Sequence, residues 1–132
     1  MSLRTPLARA RGLGSAKEGV QHWWAQRVTA VALIPLSVWF VVSLLAVAGA
    51  DYPTVVAWVG SPVNTALLVI LLFSVFYHAL LGLQVVIEDY IHTEWLKHTV
   101  LISVHFALIL LGVIAIVSVV RIAFIAVLST GV

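Results

Sequence analysis

Three long stretches of this sequence carry no charged residue. Residues 28–50 lie between Arg27 and Asp51, residues 64–87 end at Glu88 and Asp89, and residues 99–120 end at Arg121. Each is 22–24 residues long, and about 20 apolar residues are enough for a helix to cross the hydrocarbon core of a bilayer. Runs of this length cannot be hidden inside a chain of 132 residues, because a small soluble domain must present a large polar surface. Only 9% of the residues are charged and 63% are hydrophobic, against about 25% charged in ordinary soluble domains. A soluble globular domain is excluded, and so is disorder, which needs low hydrophobicity and high charge. The expected fold is all-α and integral to the membrane, with three transmembrane helices at about 28–50, 64–87 and 99–120.

Two connections separate the spans. Residues 51–63 contain Pro53, Gly60 and Pro62, which break helices. Residues 88–98 form a second, polar connection. The sequence divides into an N-terminal cytoplasmic arm, residues 1–27, and a three-helix membrane domain, residues 28–132. The apolar tail after Arg121 either prolongs the third helix or lies at the interface. The arm is expected to be retained, since its basic residues run into the polar stretch GLGSAKEG rather than a short apolar core and cleavage site.

Charge sets the expected orientation. Arg4, Arg9, Arg11, Lys17 and Arg27 lie in the arm and Lys97 in the second connection, while the first connection has no Lys or Arg. The positive-inside bias therefore puts the N-terminus and second connection inside, and the first connection and C-terminus outside. Arg121 is the one basic residue on the far side. Trp23, Trp24, Tyr90 and Trp95 would form the inner aromatic belt, and Tyr52 and Trp58 the outer one. With no Cys, the chain holds no disulfide, thiolate metal site or iron–sulfur cluster of its own. The net charge of +2 points to no nucleic-acid partner.

Ionisable residues at membrane depth need an account. His78 falls near the middle of the second span and His105 within the third. At 100° per residue, Ser74, His78, Gly82, Val85 and Asp89 share one helix face. A flat macrocycle ligated by a helical histidine must lie close to its helix. Gly82, one turn on, removes the side chain that would obstruct it. Ser74, one turn before, or a carbonyl there, could take the second imidazole nitrogen and fix the tautomer. The same features suit a hydrogen-bonded core histidine on a helix-packing stripe of small residues, and both readings stand on the residues alone. His105 reads as a core or supporting histidine, and an internal His78–His105 pair is a third arrangement.

At the inner end of the second span, Asp89 and Tyr90 set an acid beside a phenol, which suits a quinone headgroup: the phenol donates to a carbonyl and the acid relays protons. An interfacial tyrosine at a helix end is the plainer reading. Arg27 caps the first span, as a topological signal or as a partner for a carboxylate such as a haem propionate. Pro35 is expected to kink the first helix.

Read in order, GLGSAKEGVQHWWAQRVTAVALIPL at 12–36 and HALLGLQVVIEDY at 78–90, with the spacing H-x3-G-x6-D-Y, resemble the small hydrophobic membrane-anchor subunit of succinate dehydrogenase, the cytochrome b small-subunit family, in its alphaproteobacterial and mitochondrial-like branch. The resemblance covers about residues 12–120. It implies that His78 is an axial ligand of a haem b, with the other ligand on a large cytochrome b anchor subunit. It implies that Tyr90 bonds a ubiquinone carbonyl, that Asp89 serves the proton path beside it, and that Arg27 lies near the propionates and the quinone. Some relatives carry a His six residues before the matching arginine, where this chain has Gln21, with His22 next to it. The implied partners are that large anchor, an iron–sulfur subunit and a flavoprotein, in a bacterial cytoplasmic membrane. Three rivals differ in class: the redox anchor, a haem-free structural anchor of a fumarate-reductase-like complex, and a transporter. The last would need an ionisable path through the outer half of the spans, which offer none.

Overall fold

The computed structural model describes residues 5, 7 and 17–130; the arm's Arg4, Arg9 and Arg11 lie outside the described residues. Four helices are present among the described residues: α1 (Lys17–Val47), α2 (Tyr52–Gly60), α3 (Pro62–Tyr90) and α4 (Glu94–Thr130). Three of them, α1, α3 and α4, are long and apolar enough to cross a membrane. At 1.5 Å per residue they run to roughly 43–55 Å, longer than a hydrocarbon core of about 30 Å. Their ends therefore project past it, which is why Lys17, Glu88, Asp89, Glu94 and Lys97 can be helical. The arm's last residues are helical from Lys17, and the tail after Arg121 continues α4. Helix α1 runs unbroken through Pro35.

The first connection differs from its expectation as a loop. Asp51 is an extended N-cap whose carboxylate accepts the Thr54 N–H at 3.2 Å, satisfying a donor that the first turn leaves orphaned. Pro53 falls at the start of the helix, where its missing N–H costs nothing. Pro62 opens α3 in the same way, and keeps Ser61 before it out of the helical region (φ −59°, ψ 128°). Two prolines that read as breakers are thus starters. The carbonyls that α2 leaves open are taken by α3: Asn64 Nδ2 donates to Trp58 O at 2.8 Å and Thr65 Oγ1 to Val59 O at 2.6 Å. On the other side, α1 ends at Val47, short of the expected residue 50, and Gly49 just beyond it has a φ of 85°, the left-handed geometry that closes helices.

Helix α3 is the central element, packed by α1 on one side and α4 on the other, with α2 resting on α4 and α3. Leu68, Leu71, Ser74, Leu81 and Ile87 of α3 are buried. Phe76 lies on Gly112 of α4, where an added Cβ would come within 3.1 Å of the ring. Gly60 of α2 meets Ala126 of α4 so closely that a Cβ there would collide. Trp39 of α1 stacks on Trp58 of α2, ring centres 6.1 Å apart. No large side chain is fully buried among the described residues. The outward faces of α1 and α4 are apolar and open, as at Val31 and Ile34, which suits a surface solvated by lipid or by another membrane chain rather than by water.

Candidate functional site

The polar chemistry of the spans collects where α1 crosses α3. Thr29 and Gln26 of α1 reach His78 of α3, and Gln26 Nε2 also lies 3.4 Å from where a Cβ on Gly82 would be. These pairings run antiparallel, so the start of α1 and the end of α3 share one side of the molecule. His78 is half-buried. Its Nδ1 lies 3.0 Å from Thr29 Oγ1 and its Nε2 3.3 Å from Gln26 Nε2. Thr29 in turn donates to the Ala25 carbonyl at 2.8 Å and approaches that of Gln26 at 3.0 Å.

Two further atoms at this crossing are buried without a hydrogen-bond partner: Gln26 Oε1 and His22 Nε2. Buried polar atoms are normally paired, so this pair, one helical turn apart, leaves hydrogen-bonding capacity unmet within the chain on this face of α1. His22, Gln26 and Thr29 recur at i, i+4 and i+7, one face of α1, and that face is turned inward. The exposed neighbour Gln21 is not part of it.

Of the residues expected at a site, Ser74 is buried and Gly82 is half-buried, both on the His78 face, but the partner on Nδ1 comes from Thr29 across the crossing rather than from Ser74 one turn back. Farther along the stripe Val85 and Asp89 are exposed. Asp89 and Tyr90 lie at the end of α3, with Tyr90 80% exposed and its carbonyl accepting from His92 Nδ1 at 3.2 Å. The neighbouring Glu88 accepts from Gln84 at 2.9 Å. Arg27 turns away from His78. It is exposed, its guanidinium 5.3 Å from the centre of the Trp23 ring, a cation–π contact. His105 donates from Nδ1 to the Leu101 carbonyl of its own helix at 2.9 Å, and both His78 nitrogens are engaged by α1, so the two histidines are not paired. An apolar cleft of about 180 Å³ lies between α3 and α4, lined among others by Phe73, Phe76, Tyr77 and Gly112; it contains no charged side chain.

Thr29, Gln26 and His22 do not stand out as candidates when the sequence is read alone. Their signal is the polar i, i+4, i+7 pattern, which becomes visible only once the helix is known to begin at Lys17, about three turns before the charge-free run.

Comparison with known proteins gives a consistent answer. The family model for the succinate dehydrogenase/fumarate reductase transmembrane subunit matches residues 1–128. The chain is similar to the succinate dehydrogenase hydrophobic membrane anchor subunit of Rickettsia bellii, 40% identical over 101 residues, which are 76% of this chain and 81% of that one. The corresponding subunit of Paracoccus denitrificans is 33% identical over 102 residues, 77% and 79% of the two chains. The succinate dehydrogenase membrane anchor subunit of Reclinomonas americana is 33% identical over 81 residues, 59% and 68%.

Proposed function

The chain belongs to the succinate dehydrogenase/fumarate reductase transmembrane subunit family, and from that premise we propose that it anchors a succinate:ubiquinone oxidoreductase in a bacterial cytoplasmic membrane. In this reading it shares a haem b and the ubiquinone-reduction site with a larger anchor chain. The catalytic flavoprotein and iron–sulfur subunits dock on the inner face, where α1 begins and α3 ends. The observation that carries the haem assignment is the orphaned polar cluster beside a half-buried histidine. His78 Nε2 is bonded only at 3.3 Å, by an amide on a flexible side chain, longer than the usual 2.7–3.2 Å, and the buried atoms of Gln26 and His22 lack partners.

A haem bound there would supply one-electron transfer. His78 would hold it through one imidazole nitrogen, Gly82 leaves the adjoining face of α3 low, and Gln26 would give way. Three helices with one such histidine would not enclose a haem, so a second chain would complete the site. Arg27, exposed at the same level of α1, is free to meet a propionate or the quinone once its partner chain is seated. At the exposed end of α3, the Tyr90 hydroxyl donates to a quinone carbonyl, polarising it, and Asp89 passes protons toward the site from the inner surface.

One observation favours the haem-free structural anchor instead: both His78 nitrogens have partners within the chain, as a packing histidine would. The two readings share the quinone question, which enzymology answers. In the purified complex, Tyr90→Phe should lower succinate:ubiquinone reductase activity about tenfold, the value of one lost hydrogen bond. Succinate oxidation with a soluble dye should persist. Unchanged quinone reduction removes Tyr90 from the site.

A further inference from the structure

The hydrogen bonds around His78 have a direction that fixes which nitrogen is available. Thr29 is buried, 8% exposed. Its hydroxyl has one proton, and two carbonyl oxygens of α1 stand within reach, Ala25 at 2.8 Å and Gln26 at 3.0 Å. Carbonyl oxygens only accept, whereas an imidazole nitrogen can also donate, so the arrangement that satisfies all of these groups gives the proton to the backbone, the back-bond to the preceding turn that Thr makes in helices. The Oγ1 lone pair facing His78 Nδ1 at 3.0 Å is then an acceptor, and Nδ1 carries the ring proton. A neutral imidazole has one N–H, so Nε2 offers a lone pair. The Gln26 amide nitrogen, a donor, stands opposite that lone pair.

We propose that Thr29 is the positioning residue of His78: from α1 it fixes the Nδ1–H tautomer and the ring orientation of a ligand carried on α3, so that Nε2 is the atom presented to a haem iron. The inference rests on the haem reading above. It couples the seating of α1 on α3 to the ligand itself, which a partner on the same helix, such as Ser74, would not do. It also has an electronic consequence. An imidazole that donates its second N–H is a more basic ligand, and so favours ferric over ferrous iron.

The test uses the intact purified complex carrying Thr29→Val, which keeps the shape and removes the acceptor, and Thr29→Ser, which keeps the hydroxyl. Haem per copy of this chain and the midpoint potential of the b-type band are read for each. Thr29→Val should weaken haem retention at least tenfold, the lower end for loss of such a partner. It should also raise the potential by up to about 59 mV, a tenfold change in ferric preference for a one-electron couple. Thr29→Ser should return both toward the parent values. Thr29→Ala removes the hydroxyl without new bulk and decides the matter if the valine variant does not assemble. Parent-like haem content and potential in Val or Ala overturn the inference alone. So does an equal change in Val and Ser, which would assign the effect to packing at this position and not to the hydroxyl. A parent complex without haem overturns the ligation reading and this inference with it.

Discussion

Gly82 separates the two accounts of His78 at the scale of a single residue. Within this chain an added methyl would make only ordinary contact, 3.4 Å from Gln26 Nε2, and Ala is the better helix former. Gly82→Ala should therefore leave assembly and thermal stability of the complex within about 0.5 kcal/mol of the parent. If a macrocycle lies on this face, the same change should perturb the haem band or lower haem content, and a thermal melt paired with a visible spectrum reads both. His78 and Gly82 were visible in the sequence as a stripe, because both lie on one helix and spacing along a helix is fixed. Thr29 and Gln26 were not, because their role depends on which face of α1 meets α3. That is a property of packing between segments about 50 residues apart, which periodicity within one segment does not report. Arg27 shows the same limit from the other side: its place at the edge of the charge-free run is legible, but the helix begins at Lys17, so Arg27 does not cap it, and its stacking on Trp23 has no signal in the sequence.

Helix termini and helix crossings carry the predictions at the next scale. Gly60→Ala should be the more disruptive of two glycine changes, since its Cβ would collide with Ala126 and both atoms belong to rigid helices. Gly112→Ala should cost about 1–3 kcal/mol, typical of overpacking, because Phe76 must shift. Thermal melting of the solubilised complex ranks the two. At the N-terminus of α2, the hydrogen bonds from Thr54 hold the Asp51 carboxyl below its ordinary value of 3.8. A carboxylate with a lowered folded pKa contributes above its unfolded value, and the contribution is lost as pH falls through the folded one. The start of α2 should therefore be indifferent to pH from neutrality down to about 4 and loosen only below that. Asp51→Asn, which keeps an accepting side chain, should remove this acid dependence while preserving the cap; hydrogen exchange at the amides of α2 would show it. The short helix was hidden from the sequence because Pro53 and Pro62 break a helix when interior and begin one when first. The choice depended on Asp51, Asn64 and Thr65 closing the ends. The three spans were legible because the absence of charge over 22–24 residues has few other outcomes. Most of their ends extend past the expected bounds because charged residues within helices that project from a bilayer look like boundaries, whereas the first span, expected to reach residue 50, ends as a helix at Val47 because Gly49 turns left-handed.

As a whole, the molecule is a thin layer in which α3 is sandwiched and α1 and α4 keep broad apolar faces open. That architecture fits a chain whose remaining surface is covered by lipid and by a second membrane subunit. The charge bias predicts its orientation. Because the chain has no cysteine, single substitutions report cleanly: an impermeant maleimide should label Thr54→Cys from outside intact cells, and Thr93→Cys only after the membrane is opened. The reverse pattern would place the end of α3, and the proposed quinone site, on the wrong face. The central claim is that the crossing of α1 and α3 holds a haem through His78. A reduced-minus-oxidised visible spectrum of the purified complex, parent beside His78→Ala, tests it most directly, with succinate oxidation by a soluble dye confirming that the catalytic subunits remain attached. The account predicts a b-type band at one haem per copy of this chain in the parent and its loss in the variant. A parent without the band, or a variant that keeps it in full, would contradict it.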